Sequence, residues 1–159
     1  MSTFAASTSV SASASRDEIE RTLTRYGADG FLYGWQDDQA MVGFRMAGRQ
    51  VKFVLAMPKR DDRRFTHHSR GERSAEAAAK EYDQAVRQRW RALALVIKAK
   101  LEAVESGISV FEDEFLANIV LPDGTTAGAF MRPQIARAYE IGTMPALLPM
   151  LPAPEGDAP

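Results

Sequence analysis

From Gly30 to Pro58 the side chains alternate with a period of two, in three runs joined by turns too short to cross over, and this constrains the fold more than any other feature. In the first run Phe31, Tyr33 and Trp35 share one side and Leu32, Gly34 and Gln36 the other. Asp37-Asp38-Gln39 turns the chain into a second run, Ala40 to Ala47, with Val42, Phe44 and Met46 on one face. A turn at Gly48 leads to the third, where Val51, Phe53, Leu55 and Met57 alternate with Lys52, Val54 and Ala56. Parallel neighbours need a crossover of a dozen or more residues, so these connections dictate an antiparallel meander. Pro58, which has no ladder donor, ends it.

The second constraint is a run without Gly or Pro between Ser74 and Gly107, which predicts a helix of roughly 33 residues, on the order of 50 Å long. Ser74 is its expected N-cap. At about 100° per residue Ala75, Ala79, Tyr82, Val86, Trp90, Leu93, Ile97 and Val104 form an apolar stripe, with Lys80, Asp83, Arg87, Arg91, Lys98 and Glu105 opposite. The apolar stripe is expected to cover the sheet. Arg89 and Lys100 project near its edge, where a long side chain snorkels along the rim; were either buried, Glu112 or Glu114 would be its carboxylate partner.

Ser15-Arg16-Asp17-Glu18 reads as a capping box, followed by Ile19, Leu23 and Tyr26 on one face and Gly27 as a stop, so a short first helix is expected from there. After Gly107, Ser109-Val110-Phe111-Glu112 repeats the capping pattern before Phe115 and Leu116, then Ile119-Val120-Leu121 gives way to a turn at Pro122-Asp123-Gly124. Thr125 to Met131 reads equally as a returning strand or a helix start; Pro133 at a first helical position, Ile135, Ala136, Tyr139 and Gly142 predict a last short helix. The expectation is one α+β domain over residues 16–151: short helix, three-stranded meander, long amphipathic helix on the sheet, then short helices or a strand. A disordered Ser/Ala-rich tail at 1–15 and a loose one at 152–159 flank it, and Met144 to Leu151 is expected as an apolar strap.

The 159 residues are 45% hydrophobic and 26% charged, an ordinary balance for one core. A net charge of -1 gives the whole molecule no polyanion-binding character, so any such character must be local. With no Cys there is no disulfide, thiolate or cysteine-based metal site, and a cytoplasmic setting is expected, the host cytoplasm if the chain is viral. No run approaches the roughly 18 apolar residues that span a bilayer, and the N-terminus has neither a basic nor an apolar signal region.

No Gly-x-Ser-x-Gly elbow, Walker loop or dinucleotide fingerprint occurs, and no cofactor is expected. His67 and His68 are adjacent, so in extended chain they point to opposite sides and make a poor metal pair, even with Asp61, Asp62 and Glu72 near. Glu112-Asp113-Glu114 could hold magnesium for a metal-dependent nuclease, but carboxylates at a helix start are accounted for by the helix dipole. No catalytic or metal residue is assigned. The basic segment is Lys59, Arg60, Arg63, Arg64, Arg70 and Arg73 in a polar stretch expected to be an exposed loop; Lys80, Arg87 and Arg91 would extend it along the long helix as a phosphate track. Phe31, Tyr33 and Trp35 would stack bases if their face were open, and would be core if it were not.

The stretch from Arg87-Gln88-Arg89-Trp90-Arg91 to Leu101-Glu102, with Phe115-Leu116 and Ile119-Val120-Leu121-Pro122-Asp123-Gly124-Thr125-Thr126, resembles a group of small uncharacterised phage and prophage proteins. The resemblance spans roughly Gly30 to Leu151 and implies a viral setting without an activity. In topology alone, a helix, three strands and a long helix also resemble the double-stranded-RNA-binding domain and the single-strand-annealing recombinase core. The leading expectation is therefore a non-enzymatic phage accessory protein that binds DNA or RNA through the basic segment. The alternative is a protein–protein module that modulates a host or phage factor, with the near-neutral surface and the apolar strap Met144 to Leu151 as its docking or self-association segment.

Overall fold

The computed structural model describes residues 5–143, so the expected strap at 144–151 and tail at 152–159 lie outside the described residues. Helix α1 (Ala12–Arg25) leads into strands β1 (Gly30–Gln36), β2 (Gln39–Met46) and β3 (Arg49–Ala56). Helix α2 (Arg63–Thr66) and strands β4 (His67–His68) and β5 (Gly71–Glu72) precede the long α3 (Ala75–Glu105). Helix α4 (Phe111–Phe115), a 3-10 turn at Leu116–Asn118 and α5 (Ala127–Ile141) complete the α+β fold.

The meander is antiparallel in the order β1-β2-β3, with Tyr33 opposite Val42 and Val42 opposite Phe53. Its second turn places Ala47 at φ 52° and Gly48 at φ 70°, the left-handed pair whose twist matches that of the flanking strands. One face carries Val42, Phe44 and Val51 into the core. Against it lie Ile19 and Leu23 of α1 and Trp90, Leu93, Ile97 and Leu101 of α3. Phe115 of α4 is fully buried beneath β2 and β3, edge-on to Phe44 at 5.7 Å and to Phe53 at 6.3 Å. Helices therefore cover one face of the sheet only.

Helix α3 begins as its sequence predicts: Ser74 Oγ accepts from the Ala77 N–H. Its buried residues all lie between Trp90 and Leu101, because an eight-residue strand is shorter than the helix laid across it. The first half projects past the sheet and is held by other parts of the chain. Gln84 and Gln88 donate their side-chain amides to the carbonyl of Ala6, Gln84 also to that of Thr8, and Ala5 is buried. Residues 5–11 are thus docked rather than disordered. Helix α1 also starts earlier than the capping box implied: Ser11 Oγ accepts from Ala14 N–H, while Ser15, the expected cap, is buried inside the helix. Gly27 does stop the helix, at φ 94°.

Three further expectations are corrected. The segment 59–73 is no open loop: Asp62 caps α2, Phe65 is buried edge-on to Tyr82 at 5.8 Å, and β4 pairs with β5. The pattern at Ser109 forms no capping box, since α4 has Val110 at its N-cap and no side-chain cap bond. Thr126 resolves the ambiguous stretch as a helix start; its Oγ1 accepts from Ala129 N–H, and Pro133 falls inside α5 instead of opening it. Among the described residues no helix is long and apolar enough to cross a membrane.

Candidate functional site

The side of the sheet away from the helices is built from the other half of each alternation. Its rungs run Leu32–Gly43–Lys52 and Gly34–Met41–Val54, flanked by Gly30–Arg45–Gln50. Antiparallel sheets often leave one face to water, and that face is then polar. Here the middle is apolar and small: Leu32 is 59% exposed and Val54 54% exposed, with Met41 half-buried between them. Because Gly43 adds no side chain, the centre sinks into a depression of about 460 Å³ lined by Leu32, Met41, Gly43, Lys52 and Val120. Two cations, Lys52 and Arg45, also line the depression; Arg45 pairs with Asp29 at 2.7 Å, an interaction that holds the guanidinium pKa above its ordinary value.

The far edge of the depression is made by the chain that leads to α5. Ile119 bridges Val51, Val120 N–H donates to the Gln50 carbonyl, and Val120 bridges Thr126, the N-cap of α5. Lys52 Nζ donates to the Gly124 carbonyl at 2.9 Å, fixing the intervening turn over the open face. Asp123 accepts from both the N–H and the Oγ1–H of Thr125, which lowers its carboxyl pKa. The helix that follows is seated by Gly128 on the 3-10 turn, against Ala117. Beyond that seat α5 buries none of its fifteen residues. Phe130, Ile135 and Ile141 are each about half exposed and Tyr139 is 87% exposed. Among the described residues, then, a sheet face with an apolar centre and a helix with half-exposed apolar side chains adjoin.

The expected basic residues are drawn into the molecule's own contacts. Lys59 pairs with Asp38 at 3.1 Å, which raises the lysine pKa, and Arg64 pairs with Asp62 at 3.0 Å while lying over the Phe65 ring. Arg73 donates to the carbonyls of Arg64, Phe65 and His67 and so ties β4 to α2. Arg87 folds onto Gln84 Oε1, and Arg91 pairs with Glu18 of α1, which lies along the stripe expected to carry phosphates. Arg60 sits 4.3 Å over the Tyr82 ring. Arg60, Arg63, Arg70 and Lys80 have no ion pair among the described residues.

Phe31 and Tyr33 face the core, Tyr33 meeting Trp90 edge-on at 5.4 Å beneath the Arg16 guanidinium; they are not an open stacking platform. Trp35, on the same side of β1, is 64% exposed at the end of the sheet. Lys100 bonds the Glu114 carbonyl and side chain, the partner foreseen for it, whereas Arg89 is exposed. His67 lies 3.6 Å from Glu72, and among the described residues no three His, Asp or Glu side chains group as metal ligands.

Compared with family models, curated proteins and solved structures, the chain matches none. The sheet face was missed in the sequence, although the alternation carried its signal: Leu32, Gly34, Met41, Gly43 and Val54 form an apolar patch within a second face that also carries Arg45, Gln50 and Lys52.

Proposed function

We propose that this chain is a protein-binding module whose docking surface is the open sheet face together with α5. The observation that carries the reading is the pairing of a glycine-floored depression, apolar at its centre, with a helix none of whose residues is fully buried and whose Phe130, Ile135 and Ile141 stay half exposed. Solvated sheet faces and solvated helices are polar; contiguous apolar surface marks a site of association. Helix α5 sharpens the point. Pro133 in its interior removes one backbone bond and costs about 3 kcal/mol, and a helix of this length is marginal without tertiary packing. Packing of a partner against its half-exposed apolar side chains would supply what the described residues do not.

The test is selection of helical peptides from a display library on the full chain. Binders weakened at least tenfold by Leu32→Glu and untouched by Arg63→Glu support the reading. Binders indifferent to Leu32→Glu and Ile135→Glu, or no binders at all, overturn it.

A second reading keeps the polyanion partner, DNA or RNA, of a phage-type accessory protein. What favours it is the set Arg60, Arg63, Arg70 and Lys80, which lack ion pairs among the described residues. Four phosphate contacts predict a slope of log K against log salt near about -3 to -4. Fluorescence anisotropy with single- and double-stranded oligonucleotides at two salt concentrations checks this; binding that is absent or independent of salt removes it.

A further inference from the structure

We infer that the groove between α1 and α3 is a binding site for a phosphate group, held by Arg21, Arg25 and Lys98 with the hydroxyl of Thr22. The groove lies apart from the open sheet face and from the basic segment at 59–73, so the site goes beyond both readings above.

Helix geometry brings these residues to one place. Arg21, Thr22 and Arg25 follow Glu18 by three, four and seven positions, which sets all four on one side of α1, and Lys98 comes from α3 across the gap. With Glu18 and Tyr26 they line a groove of about 310 Å³. Small-molecule sites begin near about 300 Å³, so there is room for a phosphate and for part of a molecule that carries it. Contacts between the two helices bound the groove at both ends. Arg91 pairs with Glu18 at one, and Tyr26 Oη donates to Glu102 at 2.7 Å at the other. Those ends are about 12 Å apart along α1.

Between them the charge is one-sided. Glu18 is the one carboxylate among the described residues lining the groove, and Arg91 already occupies it. Glu102, one turn after Lys98 on the same helix, is turned to Tyr26 instead. Asp17 and Glu20 meet Arg21 and Arg25 only in a neighbouring hollow, and none of Arg21, Arg25 and Lys98 forms an ion pair among the described residues. Two arginines one turn apart repel each other; an anion between them and Lys98 turns that repulsion into attraction. Arg25 is also held in place, 5.5 Å over the ring of the Tyr26 that Glu102 anchors. Guanidinium groups present paired N–H donors that match phosphate oxygens, an ammonium adds a point charge, and a hydroxyl donates to an oxygen left over. Four donor groups from two helices suit the three or four oxygens of a phosphate better than the two of a carboxylate.

The experiment is an NMR titration of the full chain with inorganic phosphate at constant ionic strength, with chloride as the reference anion. Amides of Arg21 to Tyr26 and those around Lys98 should shift and saturate, while those of the sheet face stay in place. Arg25 and Lys98 are exposed, so Arg25→Gln and Lys98→Gln should fold, and each should weaken binding at least fivefold. Arg63→Gln should leave it unchanged. Thr22→Val alters no charge and should weaken it at least twofold. Glu18→Gln removes the groove's own anion and frees Arg91, so it should tighten binding at least twofold, a gain that loss of the fold cannot imitate. A nucleoside monophosphate in the same titration separates the sources: tighter binding than inorganic phosphate identifies a nucleotide, equal or weaker binding the free ion. Shifts that never saturate, that chloride reproduces, or that persist unchanged in Arg25→Gln and Lys98→Gln overturn the site.

Discussion

Gly128 rests directly on Ala117, with the Ala117 Cα 3.2 Å from the point where a Gly128 side chain would begin. The contact is between backbones, so no rotamer change relieves it, and it is the seat from which α5 projects. In Gly128→Ala, overpacking of about 1–3 kcal/mol falls on that seat alone. Hydrogen exchange should show α5 amides losing at least tenfold protection while those of α3 between Trp90 and Leu101 keep theirs. Equal loss in both helices would show that α5 is integral to the core.

Gly43 separates stability from binding. It lies mid-strand, where glycine costs roughly 0.5–1 kcal/mol relative to alanine. A Cβ there would meet Leu32 Cβ and the Val51 carbonyl at 3.7 Å, ordinary contact. Gly43→Ala should therefore raise the urea midpoint by the equivalent of about 0.5 kcal/mol while weakening association, since it fills the floor of the depression. A variant that is both more stable and equally associated would show that the depression is not used.

The two tryptophans report on opposite environments. Trp90 is 1% exposed and touches Tyr33, so Trp90→Ala should cost about 3–5 kcal/mol in urea unfolding. Trp35→Phe should change stability by under about 0.5 kcal/mol and shift the remaining fluorescence to the blue, leaving only the buried indole.

Asp123 supplies a pH test with a definite sign. Two hydrogen bonds from Thr125 hold its carboxyl pKa below the ordinary 3.8. A carboxyl depressed in the fold contributes its full stabilisation above 3.8, and that contribution is lost as the pH falls through the lowered value. The turn should hold unchanged from neutrality down to that range and loosen only in stronger acid. In Thr125→Val the side-chain bond is gone, and the NMR titration of Asp123 should move back up toward 3.8.

The parts of the fold legible in the sequence are those set by local rules. Alternation and connections too short for a crossover gave the meander, and Ser74 with an uninterrupted run gave α3 almost to the residue. What escaped was decided by tertiary contact. Ser15 has the capping pattern, yet the chain upstream packs on α3 through Gln84 and Gln88, and Ser11 caps instead. Pro133 looked like a helix start because proline is cheapest there, but the turn over Lys52 and the Thr126 cap begin α5 six residues earlier. The basic segment was visible as composition; that Arg73 and Arg91 serve the fold could not be, since their acceptors lie on other elements. The apolar sheet face was written in the alternation and overlooked because the opposite face held the aromatics.

If the open sheet face and α5 receive a protein segment, their protection depends on whether that segment is bound. Hydrogen exchange of the full chain, alone and saturated with a helical peptide selected on it, measures this directly. Amides of α5, together with the β1 and β3 segments around Leu32 and Val54, should exchange more slowly with the peptide bound, while those around Trp90 in α3 do not change. Rates around Leu32 and in α5 that are identical with and without the peptide would contradict the docking surface.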